Sequence, residues 1–413
     1  VSQLARARGA RVPVLVLGNG ITALGVQRIL AEAGLPYFVV DRQDPFLTRS
    51  RRYRPLPTGT DPVDPSGLDP WLRELPLDTA VLLPCSDHWA MAAARLDPEL
   101  EERFPASVAP ADVLERFVDK ALFDETLVEL NIPHPWSRVV EVPDDLDVIP
   151  DGGFDAAFMK PRDSVRFFRT FGVKAFRAAS RSELEARLVE VTSAGLGVIV
   201  QEYIPGPASN HYFVDGFRDR HGVIRAIFAR QRLRMYPPQF GNSTFMRSVA
   251  PDTADGAVIQ LDRLLAATGY RGIFSAEFKL DPRDGQFKLL EVNTRAWWYV
   301  EFAARCGVDT CSMSYRDALK RDVASVDTYS TGSSCVYPYP DFFACRAALR
   351  SGELTTGDWI RSWATATQPV FRWGDPWPAV AASAEILSGK AANLLRRPTG
   401  DRTSRSATDK GVT

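Results

Sequence analysis

Residues 286–298 read QFKLLEVNTRAWW, and they follow the run FSAEFKL (274–280) across the turn cluster DPRDG (281–285). Both runs alternate apolar and polar residues, the period of a half-buried strand. Phe274, Ala276, Phe278, Leu280, Leu290 and Val292 take the even positions, and Ser275, Glu277, Lys279, Glu291 and Asn293 the odd ones. A hairpin in that register puts Glu277, Glu291 and Asn293 on one face, with Arg295 continuing the parity. A slip of one residue would bury the charges and expose the phenylalanines, so the alternation pins the register. Two carboxylates facing each other across a ladder repel. A hard cation between them lifts that penalty. Mg²⁺ takes one or two carboxylates, keeps waters, and shares its other positions with phosphate oxygens. The competing reading is a solvated hairpin edge that happens to carry charge.

The rest of the chain bounds the possibilities. Its 413 residues suffice for two or three domains with cores of their own. Lys+Arg 50 against Asp+Glu 51 leaves a formal charge of −1, so no global field favours nucleic acid or an anionic membrane as partner. No apolar run approaches bilayer length, and the start VSQLARARGA lacks the apolar core of a signal peptide, so a cytoplasmic protein is expected. The 5 cysteines (Cys85, Cys306, Cys311, Cys335, Cys345) show no CxxC spacing, which indicates neither a zinc site nor a disulfide framework.

RVPVLVLGNGITALGVQRILAEAGLPYFVVDR (11–42) reads as strand, glycine turn, helix and strand, and AVLLPCSD (80–87) as a further buried strand. The first hundred or so residues thus predict a doubly wound parallel-sheet unit. GNGITA (18–23), with Asp41 about twenty residues on, matches the dinucleotide fingerprint and by itself suggests an NAD- or FAD-dependent oxidoreductase. That reading leaves the acids of the hairpin without work. Helical periodicity covers 111–135 up to Pro133. Strands are expected at 154–161, 173–178 and 197–204, and an amphipathic helix with a serine start and glycine stop at 180–195. HYFVDGFRDRHGVIRAIFARQRLR (211–234) reads as two strands about an RDRHG turn, and the tail 396–413 as disordered.

Lys120 opens a helix, Lys160 ends a strand in MKP, and Lys174 opens the strand after PRDSVRFFRTFGV (161–173). A lysine ending a buried strand needs an anion, because desolvating an ammonium costs several kcal/mol. The intervening segment, with Ser164, Arg166, Arg169, Thr170 and Gly172, is expected as a loop folding over polyphosphate. QEYIPG (201–206) follows, where Glu202 and the backbone of Tyr203 and Ile204 are placed to read an adenine edge. Arg232, Arg234 and Arg247 are candidates for the charge of a transferring phosphoryl group. His88 is expected to be structural, and core packing is expected for both Trp297 and Trp298.

Taken in order, DK (119–120), MKP (159–161), QEYI (201–204), AEFK (276–279) and LLEVNTR (289–295) resemble the ATP-grasp superfamily, and the loop and hinge its D-aspartate ligase-like carboxylate–amine ligases. The resemblance runs over about 11–320, and its E…ExN pair is its most specific part. It implies ATP sandwiched between two α+β subdomains, with Lys120 and Lys160 on phosphate and adenine and Glu202, Tyr203 and Ile204 as the adenine hinge. Glu277, Glu291 and Asn293 would hold two Mg²⁺, for which Mn²⁺ can substitute, and Arg295 would bind phosphate or a substrate carboxylate. Many relatives place an acid after the hinge for the ATP ribose; here Ser209 and Asn210 stand instead. The expected organisation is a Rossmann-like unit (1–110), a lid subdomain (111–204), a catalytic subdomain (205–320) and a mostly helical C-terminal region (321–395). The implied activity is amide formation from a small-molecule carboxylate and amine through an acyl phosphate. A biotin carboxylase-type enzyme and a catalytically dead nucleotide-binding module are the rivals. A homodimer is compatible with the sequence, which gives no handle on it.

Overall fold

The computed structural model describes residues 11–57, 64–149, 157–161, 164–172, 175–178, 180–238 and 241–384. Lys174 and the tail 396–413 lie outside them. The apolar run of the first unit becomes β1 (Val14–Leu17), buried along its whole length and flanked by β2 (Tyr37–Val39) and β3 (Val81–Pro84). Both pairings are parallel, in the order β2-β1-β3. A strand with neighbours on both sides and helices on both faces has no polar surface to show, which is why VLVL carries no alternation. Gly18 has φ +130°, and a Cβ there would lie 2.9 Å from that of Cys85, so the turn after β1 admits no side chain. At the helix Gly20–Glu32 that follows, the Gly20 N–H donates to Asp44 Oδ2 at 2.8 Å. The protein's own carboxylate thus sits where a dinucleotide's pyrophosphate would have to bind, and the oxidoreductase reading loses its anchor.

A second sheet comprises β4 (Ser137–Val140), β5 (Ala157–Pro161), β6 (Phe176–Ala178) and β7 (Val198–Glu202), antiparallel in the order β4-β7-β5-β6. The segment expected as a phosphate loop is instead helical over Ser164–Phe171. Phe167 is fully buried there and packs on Phe171 and Phe176 at centroid distances of 4.9 and 5.3 Å. Aromatic burial at i and i+4 outweighs the hydroxyl and basic residues that suggested a loop. Arg166 donates to the carbonyls of Ala194 and Gly195, so its guanidinium is a structural clamp.

The third sheet is the largest. It contains β8 (His211–Arg218), β9 (Ile224–Tyr236), β10 (Asn242–Val249), β11 (Gly272–Leu280), β12 (Phe287–Asn293) and β13 (Ser334–Val336), antiparallel in the order β12-β11-β8-β9-β10-β13. The C-terminal region expected as helical therefore also supplies an edge strand. One sheet face buries Phe274, Phe278 and Leu289 with Leu261, Leu264 and Leu265 of the helix Asp255–Thr268. The opposite face packs at one end on the first unit and the helix Val300–Cys306, where Phe228 meets Phe302 edge-on at 5.5 Å. Its other end, carrying Glu277 and Lys279, is left to a cleft. No described helix is long and apolar enough to cross a membrane.

Candidate active site

Glu277 stands directly opposite Glu291, and Ser275 opposite Asn293. The expected hairpin register holds at these positions but breaks just beyond them. A bulge follows Glu277, after which Phe278 pairs with Leu289 and not with Leu290. Leu289 is accordingly the buried residue, while Leu290 turns half-exposed toward the cleft. Arg295 lies past the end of β12, and its Nη2 donates to Asn293 Oδ1 at 2.8 Å and to Asp87 Oδ2 at 3.3 Å.

The two acids differ in their surroundings. Glu277 Oε1 lies 2.9 Å from Arg232 Nη2 and accepts from His211 Nδ1 at 2.8 Å. Burial alone would raise its pKa, but Arg232 and then His211 outweigh burial and bring it down to about 2. Glu291 lines the cleft with its side chain open to solvent, and its carboxyl lies near those of Glu277 and Asp87. Desolvation of its carboxyl and then the neighbouring Glu277 raise its pKa above the ordinary carboxylate value, against Lys160 and Arg295. A carboxyl held up in this way gains from a bound cation. The donor set of two carboxylates and an amide is all oxygen, as a hard divalent ion requires. With two carboxylates and one amide the protein would supply only part of such an ion's shell, and Mg²⁺ takes the remainder from water and phosphate oxygens. Among the described residues no group of three or more His, Cys, Asp or Glu side chains that could hold a metal is present.

Facing this hairpin edge, a cavity of about 430 Å³ is lined by Asp87, Lys120, Lys160, Gln201, Glu291 and Asn293, among others. Lys160 Nζ donates to Gln201 Oε1 at 2.8 Å. Burial, then Lys120, lowers its pKa to about 8, with Glu291 and Asp124 opposing. Lys120 is the first residue of the helix Lys120–Glu129, whose N-cap is Asp119.

The hinge differs from expectation in one respect. Gln201, not Glu202, faces the cavity. Glu202 points the other way, accepting from Arg283 Nη2 at 2.5 Å and from the Trp136 N–H at 3.4 Å. Tyr203 is half-buried and Ile204 buried, and Asn210 Nδ2 donates to the Leu280 carbonyl at 3.0 Å, so that amide fastens the hinge turn to β11. Ser164 begins the helix Ser164–Phe171.

Of the three candidate arginines, only Arg232 reaches the acid pair. Arg234 makes a two-pronged contact with buried Asp341 at 2.9 and 2.7 Å and holds the helix Pro338–Ser351. Arg247 pairs in register with Gln231, hence with Tyr212 and Phe278, on the face away from Glu277, and it is exposed. His88 is exposed while its neighbour Asp87 enters the cavity. Trp297 is buried as expected, but Trp298 is 41% exposed. Asp87, Asp124, His134 and Gln201 line the cavity without having been singled out from sequence. Only Gln201 had a usable signal, since strand parity sets it opposite to Glu202.

No family model matches the chain. Among solved structures, biotin carboxylase from Campylobacter jejuni superposes with a TM-score of 0.59 at 14% identity, over 81% of this chain and 75% of that one. L-amino acid ligase from Bacillus licheniformis superposes with a TM-score of 0.52 at 17% identity, over 75% and 74%. The chain has the ATP-grasp fold. At such identities the likeness shows the ATP-grasp fold alone. In sequence, the chain is 26% identical over 266 residues to D-aspartate ligase of Enterococcus faecium (strain Aus0004). That match covers 62% of this chain and spans 62% of the length of the ligase.

Proposed function

We propose that the protein is an ATP-dependent carboxylate–amine ligase that forms an amide bond through an acyl phosphate and releases ADP and phosphate. The observation that carries this reading is the placement of Glu291 directly opposite Glu277, with Asn293 beside it and Lys160 across the same cavity, in the cleft of an ATP-grasp fold. The sequence relative is named for D-aspartate and one structural neighbour for L-amino acids, which supports an amino acid or a derivative as substrate.

In this reading the sheet β4–β7 belongs to a lid subdomain (111–204), the sheet face bearing Glu277 to a catalytic subdomain (205–320), and 1–110 and 321–395 flank them. Glu277, Glu291 and Asn293 hold Mg²⁺, two ions in number and replaceable by Mn²⁺. Bound MgATP supplies the phosphoryl group that turns a carboxylate oxygen into a leaving group. Arg232 keeps Glu277 ionised whether or not metal is present. Lys120 and Lys160 bring positive charge to the polyphosphate, and Gln201 orients the Lys160 ammonium. Arg295, braced by Asp87 and Asn293, presents donors to a substrate carboxylate and to the oxyanion that forms when the amine attacks.

The test is ADP release in the presence of Mg²⁺ and a panel of amino-acid pairs. Release that needs a carboxylate and an amine together, with hydroxylamine converting the intermediate to a hydroxamate, is the expected result. Release driven by bicarbonate alone would replace the ligase by a carboxylase, ATP uptake without any ADP release would leave the dead module, and no ATP uptake at millimolar Mg²⁺ would overturn the ATP reading altogether.

A further inference from the structure

Lys279 follows Glu277 by two residues on the same face of β11, and only 4% of its surface is exposed. A buried ammonium is costly unless an anion or strong acceptors surround it. Here no acceptor touches it: among the described residues Lys279 makes no hydrogen bond and no ion pair, and Glu277 and Asp281 act on it only from a distance. Its Nζ has the ring of Tyr203 for company, 4.8 Å from the centroid. The acids that could serve are taken, Glu277 by Arg232 and His211, Asp281 by Arg283 at 2.6 Å. Lys288, its cross-strand partner, is held by Asp284 at 2.6 Å and adds no negative charge. Lys279 is therefore a surplus cation. It opens onto a second cavity of about 410 Å³, lined by Tyr203, Gly206, Ala208, His211, Arg234 and Lys279 among others.

The place of this cation along the strand gives it a partner. Two residues of β-strand separate it from Glu277 by roughly 6–7 Å. Tyr203, at the hinge, lies on its other side. A nucleotide with its base at the hinge backbone and its outer phosphates at the acid pair must pass over Lys279. Between those two ends an adenine nucleotide carries one charged group, the α-phosphate. We propose that Lys279 donates to the α-phosphate of the bound nucleotide, an assignment that rests on the ATP reading above.

The test uses the full chain and titration calorimetry with adenosine, AMP and ADP, comparing the wild type with Lys279→Met and Lys279→Arg. Methionine keeps an apolar stem in the site, and because it removes an unpartnered charge, the melting temperature should not fall. A charge-assisted contact to phosphate is lost, so AMP and ADP should bind about tenfold more weakly or worse. Adenosine should bind as before, and arginine should recover most of the loss. AMP bound equally by wild type and Lys279→Met overturns the assignment, as does a parallel loss of adenosine or a drop in melting temperature. Those results leave the ligase reading standing. A wild type that binds neither AMP nor ADP removes the ATP reading itself, and the assignment with it.

Discussion

Glu277 and Glu291 face each other on one hairpin, yet their environments push their protonation in opposite directions. Arg232 and His211 hold the first ionised, down to about 2, while desolvation of its carboxyl and then the first acid's own charge raise the second above its ordinary value. The pair thus presents one firmly ionised acid and one whose ionised form a bound cation would favour. Replacing Glu291 by Gln should remove a ligand without disturbing the fold. Mg²⁺-dependent turnover is expected to fall by about a hundredfold or more, since a Lewis-acid contact supplies several kcal/mol and each 1.36 kcal/mol is tenfold. The melting temperature without metal should hold or rise, because a like-charge contact disappears. Full turnover in this variant would end the metal assignment. Glu277 makes a separate prediction in acid. Its folded pKa lies below the ordinary 4.5, so its contribution to stability is complete above that value and is lost as pH falls through about 2. The melting temperature of the wild type should drop over that window, and Glu277→Gln, measured alongside, should lack this component of the drop. Parallel curves would show that the Arg232 contact adds nothing.

Along β12 a single extra residue decides what each side chain does. Alternation from sequence places Leu290 in the core and Leu289 in the cleft, and the bulge inverts them without moving Glu291 from its place opposite Glu277. Truncation tests this element directly. Leu289→Ala should cost about 2–5 kcal/mol in urea unfolding, as for a fully buried leucine, and Leu290→Ala should cost well under half as much. Equal losses would mean that no bulge separates them. The same comparison shows what patterning can and cannot reveal. Period-two alternation identified β11 and β12 and the acid pair, whereas β8 and β9 were legible from the RDRHG turn between them, β8 being buried along its whole length. It could not show the bulge, since one inserted residue leaves composition unchanged. Nor could it choose between Arg232 and Arg234, which share a parity and are separated by where their acids lie, Glu277 in the cleft and Asp341 on a helix over a hundred residues on. The helix Ser164–Phe171 was hidden by its hydroxyl and basic residues, although Phe167 and Phe171 stand four apart in the sequence.

At the scale of the whole molecule, the cleft is closed by parts of the chain that no local pattern connects. Asp87 ends a turn of the first sheet and reaches Thr294 and Arg295 some two hundred residues later. It is invisible as a site residue until the fold brings the C-terminal edge of β3 against the end of β12. The same holds for Arg28, 1% exposed on the first long helix, which donates to Glu301 at 3.3 Å and to Asp375 at 3.0 Å. Asp375 also accepts from Ser50 Oγ at 2.7 Å and from the Arg51 N–H at 2.8 Å, and Arg372 joins Glu301 from the same late segment. This buried network ties the first unit to a stretch more than three hundred residues away, and with it the wall that carries Asp87. Breaking such a network from one side strands a charge away from water. Asp375→Ala should therefore lower stability by about 3–5 kcal/mol, read as an earlier urea midpoint. Asp375→Asn should lose less, because an amide oxygen in the Oδ2 position still accepts from Arg28 and Ser50 Oγ and only the Arg51 N–H loses its acceptor. Magnesium–ADP affinity of the folded fraction should stay within about twofold for both, since none of these groups lines the cleft and distant sites add independently. If Asp375→Ala unfolds at the wild-type midpoint, the first unit is held by its apolar contacts alone, and the bracing of Asp87 must be sought in the leucines and valines shared with the helix Val300–Cys306.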